Sequence, residues 1–189
     1  MAHFTPHTID SAPAKSKPLL EVAQKSLGFV PNLFGVFAES PSLLEAYTTL
    51  GGLVDASSFS ATEAQIVLMT NNRLNGCDYC MAAHTVISEG AGIDGDIIEA
   101  LRDGSALDDP KLEALRQFAV NVNESRGWPT EAQLQAFYDA GYTAQSVLDV
   151  ILATALKVLS NYTNHIAKTP LDAAFQPAAW SPEGARQAA

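Results

Sequence analysis

Apolar residues recur along this chain at helical spacing, and no useful stretch alternates apolar with polar residues as a half-buried strand would. Pro18 precedes Leu19, Leu20, Val22, Ala23 and Leu27, a helical pattern closed by Gly28. Val30 to Gly35 reads as a turn. Ser40-Pro41 opens the next helix, with Leu43, Leu44, Tyr47 and Leu50 at helical spacing, and Gly51-Gly52 is expected to weaken or bend it. Ser60-Ala61-Thr62-Glu63 is a capping box, in which side chain and backbone exchange hydrogen bonds at a helix start. That helix runs through Ala64, Val67, Leu68 and Met69 to Asn75-Gly76, and a new one begins at Cys77 or Asp78 and ends near Glu89. Asp94 caps a helix carrying Ile97, Ile98 and Leu101. Asp109-Pro110 opens another, with Leu112, Leu115, Phe118, Ala119 and Val122 on one face. A second capping box, Thr130 to Gln133, precedes Leu134, Phe137 and Tyr138. From Thr143 to about Lys168 the chain is apolar nearly all round between Val147 and Leu159, so this segment is expected to be buried, in the core or between subunits. Asp149 and Lys157 interrupt it, which argues against a membrane span, since a span needs roughly 18 consecutive apolar residues.

The pattern predicts an all-α fold. Residues 1–15, with Pro6 and Pro13, read as a loosely held arm, 16–176 as a single helical domain and 177–189 as a tail. The length, 189 residues with 47% hydrophobic residues, suffices for one sizeable core and excludes an intrinsically disordered chain. Eleven basic residues against 21 acidic ones, with no basic run, argue against a nucleic-acid or membrane-surface partner. Two cysteines cannot build a multi-disulfide framework, and the first ten residues lack the apolar core of a signal peptide, so a reducing cytoplasm is the expected address.

Those two cysteines lie three residues apart, in Asn75-Gly76-Cys77-Asp78-Tyr79-Cys80-Met81-Ala82-Ala83-His84. On a helix starting at Cys77, positions 77, 80 and 84 share one face. The helix N-terminus carries roughly half a positive charge and favours thiolate over thiol. His84, one turn after Cys80, is close enough to take its proton or to pair with its thiolate. A stabilised thiolate, a base and a second thiol are what a redox cysteine needs. The sulfenic acid left by peroxide attack can condense with the second thiol into a disulfide. Spacing alone leaves open which cysteine is attacked first, since Cys77 is nearer the helix terminus. Rival readings are structural zinc, for which Cys77, Cys80 and His84 supply three of four ligands and His165 could be the fourth only by a long-range contact, and two incidental buried thiols. His3 and His7, in the arm, receive no role.

The run from Ser60 to Thr85, SATEAQIVLMTNNRLNGCDYCMAAHT, resembles the alkylhydroperoxidase D-like group of the carboxymuconolactone decarboxylase superfamily. FVPNLFGVFAESP (residues 29–41) and SNYTNHIAKTPLDAAF (residues 160–175) resemble the flanks of its longer, peroxidase-related members. The resemblance implies an all-helical fold assembled as trimers or hexamers, no cofactor, and thiol-dependent reduction of a small hydroperoxide, with electrons from an external dithiol or thioredoxin-like reductant. By that resemblance Cys80 attacks peroxide, Cys77 resolves, and His84 is the base in a proton relay. Where the family relay has a glutamate, twelve residues before the first cysteine, this chain has Gln65, which can orient a partner but not accept a proton. Tyr79, between the cysteines, stands where some members carry histidine. Competing functions are a decarboxylase-type lyase acting on a carboxylated lactone, which has no need of paired thiols, and a redox-sensing scaffold that oxidises without turnover.

Overall fold

The computed structural model describes residues 4–182. Among them the helix starts written in local side-chain chemistry fall where the sequence puts them. The helices are α1 (Lys17–Leu27), α2 (Asn32–Phe37), α3 (Pro41–Asp55), α4 (Ala61–Leu74), α5 (Asp78–Gly90), α6 (Gly95–Asp103), α7 (Pro110–Ser125), α8 (Glu131–Asp139) and α9 (Ala144–Ala167), followed by a 3₁₀ segment, Ala173–Ala178. The Ser60–Glu63 and Thr130–Gln133 capping boxes both close, and Asp94 and Asp109 accept backbone N–H groups at the starts of α6 and α7. No strand occurs among the described residues.

Helix α4 is the axle. From Ala64 to Asn72 nearly every side chain is buried, and α5, α6, α7 and α9 pack around it. The larger apolar core joins α4 to α6 through α9, with the rings of Phe118, Phe137 and Tyr142 stacked at 4.2 and 4.4 Å between centroids. A second, smaller core gathers Leu20, Leu33, Phe37, Leu44 and Phe175 around Cys77, Tyr79 and Cys80. Each fully buried Leu or Phe contributes about 1.5–3 kcal/mol. The chemically loaded residues therefore sit at the contact of two cores.

Three expectations are corrected. Residues 30–35 do not form an open turn: α2 begins at Asn32, whose N–H donates to the Asp172 carboxylate at 3.1 Å, and it buries Leu33, Val36 and Phe37. Its stability comes from tertiary burial rather than from local propensity, which is poor in this Asn- and Gly-containing hexapeptide. Second, residues 4–15 are not loosely held. The His7 N–H donates to the Gly35 carbonyl at 3.0 Å, and the ring meets Glu39 at 2.8 Å. This crossing needs glycine, because a Cβ at position 35 would lie 2.7 Å from the His7 carbonyl oxygen. Beyond the arm, Ser16 is buried and donates to the Ala38 carbonyl at 2.7 Å. Third, α9 is buried on one face only and not all round. Its buried face carries Val150, Ala153 and Leu156 together with Lys157, Ser160, Asn161 and Asn164, while Leu148, Ile151, Tyr162 and Ile166 are exposed. Gly51-Gly52 leaves α3 unbroken through Asp55, at a cost of about 1 kcal/mol per glycine relative to alanine.

The start of the expected tail is fastened to α6: Trp180 Nε1 donates to the Arg102 carbonyl at 3.1 Å, and Arg102 Nη1 donates to the Ala178 carbonyl at 3.1 Å. The rest of the tail, 183–189, and His3 lie outside the described residues. No single described helix is long and apolar enough to cross a membrane.

Tyr79 locks α2, α5 and the 3₁₀ segment together. Its Oη donates to Asp172 and accepts the Leu33 N–H at 3.2 Å, while burial and the Asp172 carboxylate push its phenol well above the usual range and keep it protonated. Tyr79→Phe leaves a buried carboxylate and a buried amide each short of a partner, for an expected loss of about 2 kcal/mol in urea unfolding. A midpoint unchanged from wild type would refute this account.

Candidate active site

The turn between α4 and α5 sets the thiols. Gly76 adopts φ +67°, in the left-handed region that favours glycine, and turns the chain so that Cys77 becomes the N-cap of α5. The Cys77 N–H donates to the Asn72 carbonyl at 2.9 Å, and Asn72 Nδ2 donates to the Cys80 carbonyl at 3.2 Å. Both cysteines thus lie in the first turn of α5, as free thiols that are 0% and 2% exposed.

Helix α9 supplies the other wall. Asn164 Nδ2 donates to Cys80 Sγ at 3.2 Å and lies 3.7 Å from Cys77 Sγ. One turn back, Asn161 Nδ2 donates to Asn72 Oδ1 at 3.0 Å and steadies the turn before Cys77. Two turns before Asn164 stands Lys157, itself 0% exposed, whose Nζ donates to His84 Nε2 at 2.9 Å. The other ring nitrogen, Nδ1, donates to Gln65 Oε1 at 2.8 Å. The four residues singled out by sequence thus form two linked groups, the thiol pair and the Gln65–His84 pair, with Lys157 joining the second. His84 turns toward Gln65 and Lys157 instead of taking the direct thiolate contact expected from its spacing, because the buried ammonium claims its free nitrogen.

The electrostatics separate the two thiols. Burial opposes ionising Cys80. A hydrogen bond from the Cys77 thiol, the positive charge of Lys157 and hydrogen bonds from Ser160 and Asn161 outweigh it, so Cys80 is held well below the ordinary thiol value. Cys77 moves the other way, raised by the hydrogen bond it gives Cys80, by burial and by the Cys80 charge. Burial and the Lys157 ammonium hold His84 well below the usual histidine range, so it is a neutral imidazole with its proton on Nδ1. Tyr47, beside the pair, is pushed up by burial and by Cys80, and stays a phenol.

Lys157, Asn164, Ser160, Asn161 and Tyr47 were not read as site residues in the sequence. The spacing 157, 160, 161, 164 is one polar stripe on an apolar helix, and it was the available signal. Glu63 closes its capping box and accepts from Tyr142 Oη at 3.0 Å, away from the thiols. His165 is exposed, on a different face from Asn164. Among the described residues no three or more His, Cys, Asp or Glu are grouped to hold a metal ion, and a buried ammonium beside the thiols opposes cation binding there.

Residues 41–121, from α3 through most of α7 and including the thiol turn, match the carboxymuconolactone decarboxylase family. This match, over less than half of the chain, and the similar folds that follow support a likeness to that superfamily. No curated protein matches it. Similar solved structures include an uncharacterized peroxidase-related protein with an alkylhydroperoxidase AhpD core from Ralstonia eutropha JMP134, at 20% identity over 93% of this chain and 96% of that one, with a TM-score of 0.80. A second is an uncharacterized peroxidase-related protein from Silicibacter sp. TM1040, at 20% identity over 92% and 95%, with a TM-score of 0.77. A third is a variant of the debrominase Bmp8 in complex with 2,3,4-tribromopyrrole, at 18% identity over 94% and 96%, with a TM-score of 0.79. At this identity the shared property is the fold alone, and one fold can carry more than one chemistry.

Proposed function

We propose that this chain is a thiol-dependent hydroperoxide reductase. What supports the reading is the arrangement of the two buried thiols: the amide of Asn164 donates to Cys80 at 3.2 Å, the charge of Lys157 and a hydrogen bond from the Cys77 thiol favour ionised Cys80, and that hydrogen bond, burial and the Cys80 charge favour a protonated Cys77. The Cys80 thiolate attacks the terminal oxygen of the hydroperoxide, the O–O bond breaks, and Cys80 becomes a sulfenic acid. The departing alkoxide takes one proton and leaves as an alcohol. The Cys77 sulfur then attacks the sulfenic sulfur, releasing water and forming the Cys77–Cys80 disulfide. An external dithiol or thioredoxin-like partner returns two electrons and restores the pair. Neither step needs a cofactor. Lys157 stabilises the starting thiolate, and the neutral His84, clamped by Gln65, holds the lysine in place.

The test is single-turnover oxidation of the reduced protein with cumene hydroperoxide, followed by alkylation and mass spectrometry of Cys77 and Cys80. One equivalent is expected to convert both thiols into a single intramolecular disulfide, and added dithiothreitol to sustain peroxide consumption. Thiols that remain alkylatable after peroxide would sink the proposal. One round of oxidation that never cycles, across several reductants, would replace it with the redox-sensor reading, and turnover of a carboxylated lactone unaffected by alkylation with the lyase reading.

A further inference from the structure

His84 and Gln65 have a second exposure, into a cleft of about 550 Å³ between α1, α3 and the α4–α5 pair. This lies within the range of roughly 300–1,000 Å³ typical of small-molecule sites. Its walls are apolar: Leu19 and Leu27 from α1, Phe34 from α2, and Leu156 beside the floor. Among the described residues, Asp55 is the one charged residue lining it, and no cation does. Exposed apolar side chains also line it, with Val22, Leu27 and Ile87 at 63%, 53% and 48% exposure. Tyr47 belongs both to this lining and to the packing around Cys77 and Cys80.

The wall from α3 contains Gly51 and Gly52. Neither needs to be glycine for its backbone, since both lie inside a continuous helix without a positive φ. Neither is required by packing, because a Cβ built at either position meets nothing within 4 Å. What the pair does is leave the α3 wall bare of side chains one turn beyond Tyr47 and Thr48.

We infer that the Gly51–Gly52 step is a specificity determinant, holding open a seat for an uncharged, ring-sized apolar body whose reactive end meets the Tyr47–Gln65–His84 floor. The identity of that reactive end as a hydroperoxide rests on the reductase reading above, whereas the seat itself does not. The lack of a lining cation, with Asp55 present, excludes an anionic tail, so neutral aryl-alkyl compounds fit better than carboxylated lipids.

The experiment uses Gly51→Leu and Gly52→Leu, with Gly51→Ala and Gly52→Ala as milder steps. Helix propensity makes each substitution raise Tm, so lost function in these variants is not a folding defect. The kcat/KM ratio of cumene hydroperoxide to hydrogen peroxide is expected to fall about tenfold or more in the leucine variants, with the alanine variants in between. Cumyl alcohol, which cannot be reduced at an O–O bond, is expected to bind the wild type saturably in calorimetric titration and the leucine variants far more weakly. Equal cumyl alcohol binding in wild type and leucine variants overturns the inference, as does absence of binding to the wild type or an unchanged peroxide ratio. Should neither peroxide be consumed while the alcohol binds wild type and is lost from the variants, the seat stands and the reductase reading alone falls.

Discussion

Cys80→Ser is expected to consume no hydroperoxide above the background rate, while Cys77→Ser reacts once and stops. The two thiols share a turn of helix and a common amide donor, yet their environments drive them to opposite protonation states. Only the thiolate is nucleophilic toward an O–O bond. A serine at position 80 removes that nucleophile and leaves Cys77, whose thiol is raised by burial and by its neighbour, to react slowly or not at all. A serine at position 77 keeps a hydroxyl that can still donate to the Cys80 sulfur, so the first oxidation survives. What it removes is the second sulfur. The sulfenic acid then persists, is trapped by dimedone on Cys80, and no disulfide forms. The measurement is dimedone labelling with mass spectrometry, paired with steady-state peroxide loss. Exchange of the two phenotypes would assign the attack to Cys77, the cysteine nearer the helix terminus.

What could be read from the sequence follows the range of the interactions involved. The starts at Ser60, Asp94, Asp109 and Thr130 rest on bonds spanning three or four residues, and they are all where the pattern puts them. The thiol helix is legible for the same reason, since Asn75-Gly76 forces the turn and Cys77 follows at once. Helix α2 is not, because Leu33, Val36 and Phe37 become helical through burial and through a carboxylate 140 residues away, at Asp172. For α9 the average apolarity misleads: Lys157, Ser160, Asn161 and Asn164 face inward beside Val150, Ala153 and Leu156, while other apolar residues face out. Lys157 shows in the sequence as an interruption of an apolar run and the first member of a polar stripe, but its partner His84 lies 73 residues away. The substitution that looked like a weakness in the sequence, Gln65 in place of an acid, has its explanation in that same contact. A carboxylate at position 65 would pull a proton onto His84, and a protonated His84 could not accept from Lys157.

Replacing Lys157 with methionine, which keeps the length and apolar stem but not the charge, is expected to raise the Cys80 pKa by about 1–3 units. Once that pKa passes the working pH, each further unit costs a tenfold share of thiolate and close to the same factor in the rate of peroxide oxidation. Thiolate absorbance against pH, together with stopped-flow oxidation, reads both quantities. Stability changes with the same sign. The Cys80 pKa is depressed in the fold, so its thiolate contributes stability that is present above the ordinary thiol value of 9.0 and is lost as pH falls through its folded value of about 5. Cys77, Tyr47 and His84 face the same charge: the first two are raised out of this window, and the histidine, held down by Lys157, is released upward when the lysine is gone. The wild type should therefore gain stability from about pH 5 toward pH 9, and Lys157→Met should show a flatter profile. Gln65→Glu separates charge from position. In the wild-type background it places two cations against each other at Lys157 and His84 and should bring no acceleration. In the Lys157→Met background the new carboxylate favours a charged imidazole, which restores one positive group near the thiols and recovers part of the lost rate. A Lys157→Met protein with an unshifted Cys80 titration would show instead that Asn164 and the helix start suffice, and would remove the lysine from the mechanism.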